Sequence, residues 1–131
     1  MSTLHDQIVE FGRRARAASR ELRRCNTERK NVALVAMADE LIASADQILQ
    51  ANATDVDAGH AAGLSAAMLD RLTVNSTRLN AMAEGIRQVA ELADPVGEKI
   101  REWTRPNGLK IEKVRVPIGV IGIIYESRPN V

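Results

Sequence analysis

Cysteine is almost missing from this chain. Cys25 is the only thiol among 131 residues, which excludes an intrachain disulfide framework and suits a reducing cytoplasm. Aromatic residues are nearly as scarce: Phe11, Trp103 and Tyr125 make up 2% of the chain. A protein that binds single strands by stacking bases needs more aromatic faces than that. Charge of one sign is lacking too. Eighteen basic against seventeen acidic groups leave +1, so no bulk attraction to nucleic acid or to an anionic membrane is expected. No apolar run approaches the ~20 residues of a membrane-spanning helix, and Met1 to Asp6 lacks the basic-then-apolar opening of a secretory leader. His5 and His60 are isolated from other metal-ligating residues. No serine–histidine–acid set, phosphate-cradling loop or metal cluster can be assembled. A cytoplasmic protein without a nucleic-acid or membrane partner is the expectation.

What is present is a supply of alanine and leucine, within a hydrophobic content of 45%, that favours closely packed helices. Leu4, Ile8, Phe11, Ala15, Ala18 and Leu22 recur at spacings of three and four, so they share one face of a first helix. Arg13, Arg16, Arg20, Arg23 and Arg24 form a solvated basic face on the other side. After Asn26, Thr27 is read as an N-cap for a second helix from Glu28 to Ala43, using Val32, Val35 or Ala36, and Leu41-Ile42, with Asp39 on the wet side. Ser44 can cap a continuation through Ile48 and Leu49 as far as Gly59 or Gly63. Ser65 caps a short helix over 66–72, and 73–77 is a loop. The next helix, 77–92, sets Leu79, Met82, Ile86 and Val89 on one side. Pro95 and Gly97 end it. Asn52-Ala53-Thr54 and Asn75-Ser76-Thr77 fit the pattern of sugar-acceptor sites, which means little without a secretory leader.

From Glu98 the period changes to that of strands. Residues 100–104 and 109–116 flank Arg105-Pro106-Asn107-Gly108, and Asn-Gly between extended runs signals a hairpin in which both residues take positive φ. Leu109 and Ile111 keep one phase and Val114 and Val116 the other, so a bulge is expected near Glu112-Lys113. The ribbon over 99–117 is heavily charged and reads as a projecting element that supports homo-oligomerisation. From Ile118 to Tyr125 the chain is apolar except for Gly119 and Gly122. Such a Val/Ile-rich run is characteristic of a parallel strand covered on both faces, and the polar residues after it stand where open α/β sheets place ligands. Gly119-x-x-Gly122 is not a dinucleotide fingerprint and is assigned a packing role. Arg128 suits a bidentate contact with carboxylate or phosphate, while the Asn130 amide suits an oxyanion. Cys25, beside Arg23, Arg24 and Arg29 but without a neighbouring histidine, is not taken as a nucleophile.

Residues 115–131, with Glu102-Trp103-Thr104-Arg105-Pro106-Asn107-Gly108-Leu109, resemble the γ-glutamyl phosphate reductase (glutamate-5-semialdehyde dehydrogenase) family. The likeness extends to Asn52-Ala53 with Asp55 and to the run from Gly63 to Leu72. The wider aldehyde dehydrogenase superfamily shares only the Pro-x-Gly-Val-x-Gly opening and has Pro-Trp-Asn where this chain has Glu126-Ser127-Arg128. The resemblance implies an α/β protein with an aldehyde dehydrogenase-like fold, of which this chain is the mainly helical front piece. Residues 1–98 would be the helical part of the cofactor-binding domain, 99–117 the oligomerising hairpin, and 118–131 the first strand and loop of a Rossmann-like parallel sheet. It implies NADPH-dependent reduction of L-glutamyl 5-phosphate to glutamate 5-semialdehyde with release of phosphate, in proline biosynthesis. In that family a cysteine attacks the acyl phosphate and a hydride reduces the thioester; that cysteine would lie beyond Val131. Tyr125, Glu126 and Ser127 would border NADP(H), Arg128 would hold an anionic group of the acyl phosphate, and Asn130 would polarise the carbonyl. The competing readings are a self-contained helical interaction module and another aldehyde dehydrogenase superfamily member, the latter disfavoured by Glu126-Ser127-Arg128-Pro129.

Overall fold

The computed structural model describes residues 3–125. They form five helices and one antiparallel hairpin, in the order α1 (Leu4–Leu22), α2 (Thr27–Ala43), α3 (Ala45–Ala61), α4 (Ala66–Leu72), α5 (Ser76–Glu91), β1 (Lys99–Thr104) and β2 (Lys110–Val114). They fall into two compact units, one holding α1 and the hairpin, the other holding residues 28–92 together with the end of the described chain.

In the first unit, α1 starts on a capping box at Thr3. The Thr3 hydroxyl accepts from the Asp6 amide, and the Asp6 carboxylate accepts from the Thr3 amide at 2.9 Å. These bonds satisfy amides that the first helical turn otherwise leaves unpaired. They also hold the Asp6 carboxyl below its usual value, first through the backbone of Thr3. The predicted apolar face of α1 is present, but no residue of the helix is buried. Thr27 is not an N-cap. It is the first residue of α2, and its hydroxyl donates to Asp94 Oδ2 at 3.0 Å.

The hairpin differs from its sequence reading at the turn and at the bulge. Gly108 alone has positive φ (+83°), and no non-glycine residue among those described does. The Gly108 amide donates to the Arg105 carbonyl, and the Arg105 amide to the Leu109 carbonyl, both at 2.9 Å. With Pro106 in the second position this is a three-residue loop whose last residue takes the left-handed conformation. Asn107 contributes its side-chain oxygen, which accepts from the Leu109 amide at 3.2 Å. Lys99 faces Val114 and Arg101 faces Lys113, so the extra residue is Ile100 on β1 and not on β2. The bulge still lies opposite Lys113, where the phase change in the sequence had placed it. The ladder continues past β1 and β2 through Arg115, whose amide donates to the Glu98 carbonyl and whose carbonyl accepts from the Gly97 amide.

The second unit carries the core. Ala38, Leu79, Ala83 and Ala90 are its buried apolar residues. The inward face of α2 is therefore Leu34, Ala38, Leu41 and Ile42, and Val32 and Val35 stand exposed. Ser44 precedes α3 but makes no capping bond; its hydroxyl reaches Glu40 Oε1 at 3.0 Å. Gly63 (φ +74°) terminates the helix, whereas Gly59 is buried within it. A Cβ on Gly59 would stand 3.1 Å from side-chain carbons of Leu64 and Leu69, so its lack of a side chain is what lets α4 lie against α3. Ser65 caps α4 as predicted. Asn75, unassigned in the sequence reading, caps α5 by accepting from the Arg78 amide at 2.8 Å. On α5 the buried face runs through Leu79, Ala83 and Ala90 with Met82 and Ile86 half-buried, and Val89 points to solvent.

Candidate functional site

The residues singled out by the sequence divide at Tyr125. Arg128, Asn130, Glu126 and Ser127 lie outside the described residues. The segment leading to them is described, and it is open. Ile118, Ile121, Ile123 and Ile124 are exposed, Ile124 completely, and so is Tyr125. Gly119 has φ +100°, and a Cβ on either Gly119 or Gly122 would meet nothing within 4 Å. Among the described residues no strand pairs with this segment; the only sheet is the hairpin. An extended chain becomes a ladder strand only through a hydrogen-bonded neighbour, so the run from Ile118 to Tyr125 remains an unpaired lead-in. Tyr125, the one described residue of the cofactor-side group, thus sits on an extended segment with open space beside two glycines.

Upstream, a polar network fixes the framework of α3, α4 and α5. Asn52 is the one buried polar residue among those described. Its Nδ2 donates to the Leu72 carbonyl at 2.9 Å, and its Oδ1 accepts from the Val74 amide at 2.6 Å. One amide group thereby pairs with the backbone on both sides of Thr73, as a neighbouring strand would. Arg78 closes the same corner from α5: its guanidinium donates to the Asp70 and Thr73 carbonyls and to Asp70 Oδ1. The sequence reading treated Asn52 as part of a sugar-acceptor pattern and of a family likeness. The signal for its clamp role is its place on the helical face of Ile48, Val56 and Gly59, where a polar residue needs a buried partner. Arg87 Nη2 donates to Asp39 Oδ1 at 2.7 Å, tying α5 to α2.

Cys25 is half-buried in the turn after α1, with its thiol directed to the Glu21 carbonyl. Among the described residues no group of histidine, cysteine, aspartate or glutamate could hold a metal ion, and no helix is long and apolar enough to cross a membrane.

No protein-family model matches the chain. Individual proteins do. It is 58% identical over 124 residues to a gamma-glutamyl phosphate reductase of Mesorhizobium japonicum, covering 95% of this chain and 29% of that protein. The corresponding enzyme of Allorhizobium ampelinum is 54% identical over the same lengths. Among solved structures, gamma-glutamyl phosphate reductase from Thermotoga maritima superimposes with a TM-score of 0.92 at 43% identity, covering 95% of this chain and 30% of that one. The chain is a relative of gamma-glutamyl phosphate reductase. The Saccharomyces cerevisiae reductase, at 33% identity and a TM-score of 0.85, extends the likeness to 99% of the chain. Measured against these reductases the chain spans about three tenths of their length, 29% to 31% for the curated relatives.

Proposed function

We infer that the chain is part of an NADPH-dependent reductase that converts L-glutamyl 5-phosphate to L-glutamate 5-semialdehyde and phosphate, in the cytoplasm, as a step of proline biosynthesis. The observation that supports this is the likeness to gamma-glutamyl phosphate reductases over 95% of the chain, in sequence and in fold together. When bound, the nicotinamide would supply the hydride. The open segment ending at exposed Tyr125 offers a planar ring a surface to lie against, and on this reading Tyr125, Glu126 and Ser127 border the cofactor. Arg128 carries the fork of donors that matches a phosphate or carboxylate. Asn130 supplies an amide donor for charge developing on the carbonyl oxygen. Residues 118–131 are then the first strand and loop of a nucleotide-binding sheet, 1–98 its helical companion, and the 99–117 hairpin an oligomer contact.

The test is an assay of the intact protein in the reverse direction: reduction of NADP+ dependent on both glutamate 5-semialdehyde and phosphate. Absence of any phosphate-dependent signal would overturn the reading. Arg128→Ala should cut kcat/KM by about a hundredfold, the loss of a charge-assisted contact worth ~2.7 kcal/mol, while CD and melting stay as in the parent. Unchanged kinetics would remove Arg128 from the site.

A further inference from the structure

The longest helix of the chain has no cover. Leu4, Ile8, Phe11, Ala15, Ala18 and Leu22 are all exposed along α1, and four of them are large apolar side chains. Their spacings run four, three, four, three, four. That is the step pattern of a seam between two helices, not only of a face against a sheet.

We propose that α1 pairs antiparallel with α1 of a second copy of this chain. Turning the seam end for end about its midpoint, next to Gly12 and Arg13, sets Leu4 opposite Leu22 of the second copy, Ile8 opposite Ala18 and Phe11 opposite Ala15. The two largest central side chains then meet alanines, which is how facing layers fill space without overlap. A parallel pairing would instead stack Phe11 on Phe11 and Ala15 on Ala15, one layer overfilled and the next empty. Gly12 flanks the seam at the crossing, and space for a Cβ there is vacant, so the backbones can approach closely on that side.

The charges agree with this register. Arg13, Arg16, Arg20, Arg23 and Arg24 all lie off the seam and stay in water. Glu10 and Glu21 already partner Arg13 and Arg24 within each helix, all of them well exposed. On one flank Gln7 comes beside Glu21 of the second copy. Arg14 alone meets its own counterpart, at a wet rim where salt and length keep two guanidiniums apart cheaply. A nineteen-residue helix is only about 28 Å long. Two of them bury less than the ~1,200 Å² of a free-standing interface, so the contact is weak and reversible.

The test exploits the large-against-small order. In the intact protein, sedimentation equilibrium is run on the parent, on Phe11→Ala, on Ala15→Phe and on the double variant that swaps the two. Each single change should weaken self-association by about tenfold or more, through an empty or an overfilled layer. The swap restores a large residue opposite a small one and should bring the association back to within about threefold of the parent. A mass unaffected by any variant would overturn the pairing and leave assembly to other surfaces. Single variants that lower melting temperature in a monomer, with no rescue by the swap, would show that another part of a longer chain covers α1. Equal loss in all three variants would point to a partner of different sequence and would also overturn it.

Discussion

Asn52 spends both of its amide atoms on the backbone around Thr73, with 8% of its surface left exposed. Replacement by alanine strands a buried carbonyl and a buried amide together. Each unmade bond costs ~1–3 kcal/mol, so Asn52→Ala should lose about 3 kcal/mol in urea denaturation; a loss under about 0.5 kcal/mol would show that water replaces the clamp. Two glycines give the opposite pair of outcomes. Gly85 lies inside α5 with nothing near its Cβ position, and Gly85→Ala should raise stability by about 0.5–1 kcal/mol through helix propensity. Gly59→Ala has the same propensity gain but drives a methyl to 3.1 Å from two leucines, so it should be neutral or destabilising by about 1 kcal/mol. Equal shifts in the two melting curves would contradict the close fit of α4 on α3.

At the scale of the element, the hairpin carries a charge device. Glu102 and Glu112 face each other directly across the ladder, an arrangement that repels unless a cation intervenes. Lys99 reaches both. Its ammonium is raised well above its usual value, first by the bond to Glu102 and then by that to Glu112. The Glu102 carboxyl is lowered, first by the bond from Lys99. A lowered carboxylate favours the folded form above its unfolded value and loses that contribution as pH falls through the folded one. A raised ammonium contributes fully below its unfolded value, 10.5, and is lost only as pH rises through the folded one. The cluster is therefore complete across neutral pH and fails first in acid, below the ordinary glutamate value near 4.5. A carbon-13 titration of the Glu102 carboxyl should show a midpoint below that value, and Lys99→Met should move it up; a midpoint unmoved by the substitution would remove the lysine from the explanation.

Elements of this size were readable because their periods are long and their punctuation is explicit. The limits of α1 and α4, the cap at Ser65 and the hairpin with its Asn-Gly turn all follow from local patterns. Asn75 escaped because Thr77 was taken as the helix start. The buried faces of α2 and α5 escaped because alanine scores as weakly apolar, yet Ala38 and Ala83 are wholly buried where valines are not. Small residues mark close helix contact, and only packing reveals which small residues those are. The bulge was placed opposite the right residue but on the wrong strand, since a phase change in one strand does not say which chain holds the extra residue.

For the whole molecule, two apolar surfaces remain open: the α1 seam and the run from Ile118 to Tyr125. They make different demands. The seam is answered by its own sequence read backwards, while the extended run needs hydrogen-bonding neighbours as well as cover. Removing residues 99–114 from the intact protein should lower its oligomeric mass in light scattering if the hairpin is an assembly contact; an unchanged mass would leave that role to other surfaces. The open run also makes the isolated 131-residue chain prone to associate, and replacing Ile121 and Ile124 by threonine should reduce turbidity on concentration.

The clamp at Asn52 has a practical corollary for production. Its amide belongs to an Asn-Ala-Thr tripeptide, so in a eukaryotic secretion host an oligosaccharide could be attached only before α3 meets the Leu72–Val74 corner. Once attached, it would keep that corner from closing. Thr54 is exposed and touches only the Gln50 carbonyl, at 3.4 Å. Exchanging Thr54 for alanine would make the chain invisible to the transferase and leave the folded protein's amide grip whole.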